Sequence, residues 1–208
     1  MTVTRRGLMA GSLSALLVPS LALAQSPATA PAVITRFYAV LEQVMKDGRK
    51  TPFPQRFQLL APAVDQAFDL AGILRVSVGA YWTSLPPAEQ QQLLTEFRAF
   101  TVASYISNFH SYKNRVLTVF PTTRAVGSQQ VVKTTIQKPH RDAVRIDYVM
   151  RNEASGWKVV DVLLDGTISR VATQRSDFSS YVSQGNASRL ITLLKRKVST
   201  LSDGAMAG

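Results

Sequence analysis

Residues Asp142–Gly166 read DAVRIDYVMRNEASGWKVVDVLLDG and decide the fold of this chain. In the first half, apolar and charged side chains alternate, which is the two-residue period of a strand with one buried face. The polar segment Asn152–Gly156 suits a hairpin turn. The return strand, Trp157–Leu164, is apolar except for Lys158 and Asp161. A strand that is apolar on both faces is typical of a central, covered position, so we expect the other elements to pack on this hairpin.

Helical patterns flank the sheet region on both sides. Before it, apolar residues recur at helical spacing, and Asp69 is placed to cap a segment that begins at Leu70. Helices on either side of closely connected strands indicate an α+β fold, with helices packed on one curved antiparallel sheet of about four strands. The predicted helices are 32–46, 55–60, 63–82, 88–109, 169–181 and 187–198. The predicted strands are 115–120, 129–138, 141–151 and 157–164.

The first residues are predicted to be a signal peptide and not part of the fold. Arg5 and Arg6 precede the apolar run Leu8–Leu23, and an A-x-A site ends at Ala24, so we expect cleavage after Ala24. The segment Thr4–Met9 resembles a twin-arginine signal, but a paired arginine also occurs in ordinary Sec signals, which leaves both export routes open. The predicted division is 1–24 signal peptide, 25–31 linker, 32–198 single domain and 199–208 flexible tail.

The exported chain is predicted to be basic, soluble and free of thiol chemistry. Removing residues 1–24, which hold Arg5 and Arg6, leaves 22 basic and 13 acidic residues, a formal charge of +9. No cysteine occurs, so an oxidising compartment would add no disulfide. Because no second apolar run approaches the length of a membrane span, we expect a soluble periplasmic protein.

Few residues offer catalytic or metal chemistry. His110 and His140 are the only histidines and lack metal-site spacing, so no metal and no cofactor are predicted. Asp161 lies on an otherwise apolar strand, where it could face Tyr148 and act as a base with a raised pKa. The alternative is a structural aspartate that pairs with an arginine or caps a loop, and this alternative is favoured.

The basic excess raises the question of a nucleic-acid partner. Lys195–Lys197 is a basic cluster, but aromatic residues are not interleaved with the charges, and an exported chain meets little nucleic acid. We therefore expect no nucleic-acid partner. A solvated basic face is the simple interpretation, and attraction to anionic headgroups or to an acidic partner is the functional one.

An ordered series of motifs runs along most of the chain. The residues are Leu60-Ala61-Pro62, Phe68-Asp69, Gly79, Trp82, Glu89-Gln90, Phe97, Phe100, Tyr105, Gly156-Trp157-Lys158-Val159, Asp161-Val162, Gly166, Arg175 and Phe178 as an R-x-x-F pair, Gly185, Leu190-Ile191 and Leu194. In this series the chain, from Val33 to Lys197, resembles the periplasmic MlaC family, also called the toluene-tolerance family. It departs from the family at Asp165–Ser169, where the family has a serine closer to the glycine.

The resemblance implies a lipid carrier and not an enzyme. Members of the family hold phospholipid acyl chains in an apolar cavity between helices and a strongly curved sheet, a cone of the NTF2 or cystatin kind. They shuttle lipid between an outer-membrane complex and an inner-membrane ABC transporter that has an MCE-domain component. A sister branch, HpnM, is associated with hopanoids, so a hopanoid ligand stays open. The role further implies transient membrane contact and a monomer.

The apolar strand and helix patterns then predict which side chains line the cavity. From the hairpin these are Val144, Ile146, Tyr148, Met150, Trp157 and Val159, and from the long helix Phe97, Phe100 and Tyr105. Two other functions remain as alternatives. One is a small cavity enzyme of the isomerase or dehydratase kind that uses Asp161 and Tyr148, and the other is a structural or adaptor protein with a filled core.

Overall fold

The computed structural model describes residues 28–206, which form six α-helices and one five-stranded antiparallel sheet. The helices are α1 (Ala30–Asp47), α2 (Phe53–Ala67), α3 (Leu70–Val78), α4 (Pro87–Asn108), α5 (Arg170–Phe178) and α6 (Ser188–Leu201). The strands are β1 (Val116–Val126), β2 (Gln129–Gln137), β3 (Val144–Glu153), β4 (Gly156–Leu164) and β5 (Ile168–Ser169). The predicted signal peptide and its cleavage site after Ala24 lie outside the described residues.

The sheet is a meander in the order β1-β2-β3-β4-β5, which confirms the predicted α+β class and antiparallel connections. The strand count differs, because Ile168 and Ser169 add a fifth strand that pairs with the end of β4. The sheet does not close on itself. The expected inner position of the hairpin's return strand is confirmed only in part. On one side β4 pairs with β3, and on the other it meets only β5 and a bridge between Phe68 and Val159.

The helices differ from the predicted bounds: α1 and α2 are longer, α5 is shorter, and the predicted helix 63–82 is wrong as one element, since it is divided at Phe68 between α2 and α3 and α3 ends at Val78. Asp69 caps α3 as expected, since its Oδ1 accepts a hydrogen bond of 2.8 Å from the Gly72 N–H. The segment predicted as a short helix from residue 55 continues to Ala67, with Pro62 inside it. At the C-terminal end α6 reaches Leu201, and Ser202 beyond it is buried.

The two faces of the sheet differ in character. On β3, Ile146, Tyr148 and Met150 are buried beneath the helices. The register with β4 shifts between Val149 and Met150, so Met150 pairs with Val159 whereas Tyr148 pairs with Val162. This bulge adds one residue to β4 and thereby reverses which of its side chains reach the helix-covered face from that point onward.

The opposite face carries an ion pair that lies against the turn after β4. Asp147 has only 1% of its side chain exposed, and its carboxylate accepts hydrogen bonds of 2.9 and 2.5 Å from the half-exposed Arg145 guanidinium. Gly166, at φ 75°, lies against that guanidinium, and a Cβ there would stand 2.6 Å from Arg145 Cζ. The glycine therefore leaves Arg145 room to reach Asp147.

We expect Gly166→Ala to destabilise the protein by displacing Arg145 and leaving the Asp147 carboxylate buried without its partner. The loss in free energy of unfolding should be about 2 kcal/mol, because the strain of a left-handed residue adds to a weakened contact between Asp147 and the half-exposed Arg145. The measurement is chemical denaturation of the purified variant.

Gly127→Ala is the matched control for this substitution. Gly127 also has a positive φ, 56°, but a Cβ there would meet nothing within 4 Å. It should lose only about 1 kcal/mol, the cost of the left-handed backbone for a residue with a Cβ. Equal losses in the two variants would contradict the role given to Arg145.

Candidate functional site

A cavity of about 300 Å³ lies between α3, α4 and α5 and the helix-covered face of β3 and β4. Its position follows from the packing, since α5 contacts α3 and the end of β4 while α4 crosses the other side. The lining residues are Phe68, Leu70, Ile73, Phe97, Phe100, Thr101, Ser104, Tyr105, Asn108, Phe109, Ile146, Tyr148, Asp161, Val162, Leu164, Arg170, Val171 and Gln174. Most are apolar, so the space suits a hydrocarbon ligand.

An aromatic cluster forms the deep wall of this cavity. Phe68, Tyr105 and Tyr148 meet edge to face, with ring centroids 5.7 Å apart for Phe68 and Tyr105 and 6.4 Å apart for Phe68 and Tyr148. Behind them Phe37 of α1 contacts all three rings, at 5.1 to 6.5 Å. Edge-to-face contacts between rings add to the stability gained by burying their area, so this wall is well fixed.

The hydroxyl groups near this wall are held in their neutral form. Thr134 donates its proton to the Ile146 carbonyl at 2.5 Å, so in the 2.8 Å contact between Tyr38 and Thr134 the tyrosine donates. Burial raises the pKa of Tyr148 well above its usual value, and the nearby hydroxyls of Tyr105 and Tyr38 raise it further. Burial also raises the pKa of Tyr105. Protonated phenols place no charge beside the apolar space.

The polar side chains of the cavity come from two helices. Thr101, Ser104 and Asn108 share one face of α4. The first two donate to carbonyls four residues earlier, Thr101 at 2.8 Å and Ser104 at 2.7 Å, so their hydroxyl protons are satisfied within the helix. On α5, Arg170 and Gln174 lie one turn apart on the same side. The cavity therefore has apolar walls and a set of polar groups carried by α4 and α5.

Asp161 joins the sheet to α5. Its Oδ2 accepts from the Ser169 hydroxyl at 2.5 Å, and its Oδ1 accepts from the backbone N–H groups of Val171 at 3.1 Å and Val162 at 2.7 Å. In the register Asp161 pairs with Val149, and it is Val162 that pairs with Tyr148. Asp161 and Tyr148 are therefore not cross-strand partners, although both line the cavity, and the contacts of Asp161 are those of a structural aspartate that caps a helix.

The structure brings together five of the nine residues predicted to line a cavity. These are Phe97, Phe100, Tyr105, Ile146 and Tyr148. The other four do not line it: Met150 and Val159 are fully buried in the core, Trp157 is half-buried against it, and Val144 is 42% exposed at the start of β3. Whether the lining residues bind lipid stays a prediction.

Sequence reasoning missed the contribution of α3 and α5. Leu70 and Ile73 line the cavity from α3, and Arg170, Val171 and Gln174 line it from α5. The only local signal was the helical spacing of Arg170 and Gln174, which places them on one side of a helix without saying which side faces a cavity.

Two features are absent from the described residues. Across residues 28–206 no group of three or more His, Cys, Asp or Glu side chains is arranged to hold a metal ion. In the same part of the chain no helix combines the length and apolar character needed to cross a bilayer.

Comparison with known proteins places the chain in a family and matches its fold. Residues 34–196 match the family model of the MlaC protein. No curated protein matches the chain. A solved structure of the phospholipid-binding protein from Ralstonia solanacearum, in complex with a phospholipid, superposes with a TM-score of 0.72, covering 84% of this chain and 99% of that one at 23% identity. A likeness at this identity shows that the two chains share a fold.

The raised pKa of Tyr148 predicts a loss of stability in alkali. The unfolded chain releases this proton near pH 10 while the folded protein keeps it, so stability is intact below about pH 10 and falls as the pH rises further, by about 1.4 kcal/mol per pH unit for each such group. Tyr148→Phe should reduce the steepness of that fall, measured by denaturant unfolding between about pH 9 and pH 12.

Tyr81→Phe is the matched control for the alkaline measurement. It also removes one phenol, but Tyr81 is 44% exposed. We expect its pH dependence to match that of the wild type. A Tyr148→Phe curve as steep as the wild type would contradict the buried, neutral phenol.

Proposed function

Because this chain belongs to the MlaC family, we propose that it is a periplasmic lipid carrier that holds phospholipid acyl chains in the cavity between α4, α5 and the sheet. The observation that carries the proposal is the apolar cavity itself, which opens onto the core face of β3 and β4 in a chain of this family. The phospholipid bound by the Ralstonia solanacearum protein of the same fold supports the same ligand class here.

The physics of the cavity fits acyl chains. Each methylene group moved from water into an apolar site contributes about 0.8 kcal/mol, so enclosing a chain offsets much of the cost of taking it from a bilayer. The walls contain few groups that need hydration, because Tyr148 and Tyr105 are neutral and the hydroxyls of Thr101 and Ser104 already donate to backbone carbonyls. Such walls favour hydrocarbon without dictating its length.

We propose that the cavity widens when lipid enters. Its volume of about 300 Å³ is at the lower end of the range of about 300 to 1,000 Å³ found for small-molecule sites, and a diacyl phospholipid is larger than those molecules. Helix α5, nine residues long and joined to the sheet by the two-residue strand β5, is the short element on that side. Movement of α5 away from α4 would let the curved sheet and the helices enclose the chains as a cone.

A binding function accounts for the chemistry of the site better than catalysis does. Asp161, the candidate base, already accepts three hydrogen bonds from Ser169, Val171 and Val162. Burial keeps Tyr148 protonated, so it would not act as a base at neutral pH. We therefore propose that the chain binds and transfers lipid and is not an enzyme.

The proposed transport route rests on the family and on the leader of the chain. After export and cleavage following Ala24, the protein would act as a monomer in the periplasm, exchanging lipid between an outer-membrane complex and an inner-membrane ABC transporter with an MCE-domain component. The formal charge of +9 that is left after removal of residues 1–24 favours transient contact with anionic membrane surfaces.

The first test is mass spectrometry of organic extracts from protein purified from its native periplasm without detergent. We expect stoichiometric diacyl phospholipid, because a dry apolar cavity retains its ligand in aqueous buffer. A pentacyclic triterpenoid in its place would move the ligand to the hopanoid class. Empty protein whose melting temperature does not respond to added phospholipid would overturn the carrier function.

A second test fills the cavity. Ser104 is half-buried and lines the cavity from α4, so Ser104→Trp should occupy space that a chain needs and lower the bound lipid at least tenfold. The melting temperature of the lipid-free form should change by no more than about 4 °C, since the indole enters empty space.

Thr95→Trp serves as the control for the filled cavity. Thr95 is exposed on the same helix and does not line the cavity. It should retain its lipid at the wild-type level. Equal lipid content in the two tryptophan variants would argue against this cavity as the binding site.

A further inference from the structure

Arg170 is the basic side chain that lines the cavity. It lies at the first position of α5, is half-buried, and shares the lining with the amide side chains of Gln174 on its own helix and Asn108 on α4. These three residues place donors from two helices around the same apolar space. The Ser77 hydroxyl donates to the Ile73 carbonyl at 2.8 Å, and the Gln174 amide lies 3.3 Å from that hydroxyl.

Among the described residues, this cavity has one positive and one negative side chain in its lining, and the two do not form an ion pair with each other. Its two charged lining residues are Arg170 and Asp161, and the Asp161 carboxylate is occupied by Ser169 and by the start of α5. Within residues 28–206, no carboxylate lies within 4.0 Å of the Arg170 guanidinium in an ion pair, whereas Arg98 and Arg145 each pair with one carboxylate and Arg151 pairs with two. The positive charge of Arg170 also acts on the cavity wall, where it lowers the pKa of Tyr105 against the larger effect of burial.

The half-buried guanidinium of Arg170 is suited to bind an anion in the cavity. Five N–H donors in a fixed fork match the oxygen atoms of a phosphate, and hydrogen bonds between charged groups are about twice as strong as those between neutral ones. Beside an apolar cavity such a pair is less screened than it would be in open water. Amide donors, such as those of Asn108 and Gln174, can complete the coordination of an anion whose attached chains lie among Phe97, Phe100 and the other apolar walls.

We propose that Arg170, assisted by Gln174 and Asn108, binds the phosphate group of the lipid whose acyl chains fill the cavity. This inference rests on the proposed carrier function and deepens it. It assigns to Arg170 the contact with the phosphodiester, which every phospholipid headgroup shares, and it predicts a preference for phospholipid over an uncharged lipid of the same hydrocarbon content.

The test compares two lipids that differ only in the charged group. Delipidated protein is titrated with dioleoylphosphatidylglycerol and with dioleoylglycerol, which carries the same chains without the phosphate. We expect the wild type to bind the phospholipid about 10- to 100-fold more tightly, the factor typical of charge-assisted hydrogen bonds. Arg170→Gln should remove that preference and leave the affinity for dioleoylglycerol unchanged. Arg170→Lys, which keeps the charge but loses the fork, should retain part of the preference.

Arg36→Gln is the control for net charge. Arg36 is exposed on α1 and does not line the cavity, so this variant should keep the full preference for phospholipid. Inorganic phosphate is titrated separately, and we expect it to bind at least 100-fold more weakly than the phospholipid, since it brings no chains.

The outcomes distinguish the carrier function from the contact between Arg170 and the phosphate. If the wild type binds neither lipid, the carrier function falls, and the Arg170 inference falls with it. If it binds both lipids equally, or if Arg170→Gln weakens both by the same factor while the fold is retained, the carrier function stands and the phosphate contact is wrong. If inorganic phosphate binds as tightly as the phospholipid, Arg170 belongs to an anion site that does not recognise lipid.

Discussion

The edge-to-face packing around Tyr148 is the interaction on which the rest of the structure depends. Tyr148 comes from β3, Phe37 from α1, Tyr105 from α4, and Phe68 from the turn after α2. Four distant parts of the chain thus meet at one point of the sheet. Because the rings are large and meet at fixed angles, they hold α1 and α4 at a set distance from β3. On the far side of this cluster the short helices α3 and α5 contact β4 but leave the space between themselves, α4 and the sheet unfilled.

The cavity is therefore a product of unequal helices. Helix α4, with 22 residues, spans the whole domain and packs on both α2 and α6, whereas α3 and α5 have nine residues each. The short pair is tied to the sheet at its ends, through Asp69 and through Asp161, and not along its length. A core built in this way has one firmly packed half and one half that leaves room for a ligand.

The elements that were predictable from the sequence are those whose signal is local. The hairpin of β3 and β4, the long helix α4 and the cap at Asp69 follow from periodicity and from short-range hydrogen bonding. The bulge after Val159 is different, because strict alternation along β4 would have put Asp161 on the same side as Tyr148. Helix α5 forms a wall of the cavity because β5 directs it over the sheet. This placement depends on tertiary contacts, so no periodicity in the sequence of α5 predicts it.

The neutral wall of the cavity has a consequence for how cargo exchange would depend on the environment. The phenols of Tyr148 and Tyr105 stay protonated in acid and at neutrality alike. The charge of the apolar end of the site therefore does not change between acidic and neutral pH. Any pH dependence of lipid loading or release would have to arise at the polar groups of α4 and α5 or on the ligand itself. Binding of the acyl chains and sensitivity to pH would therefore belong to different ends of the same site.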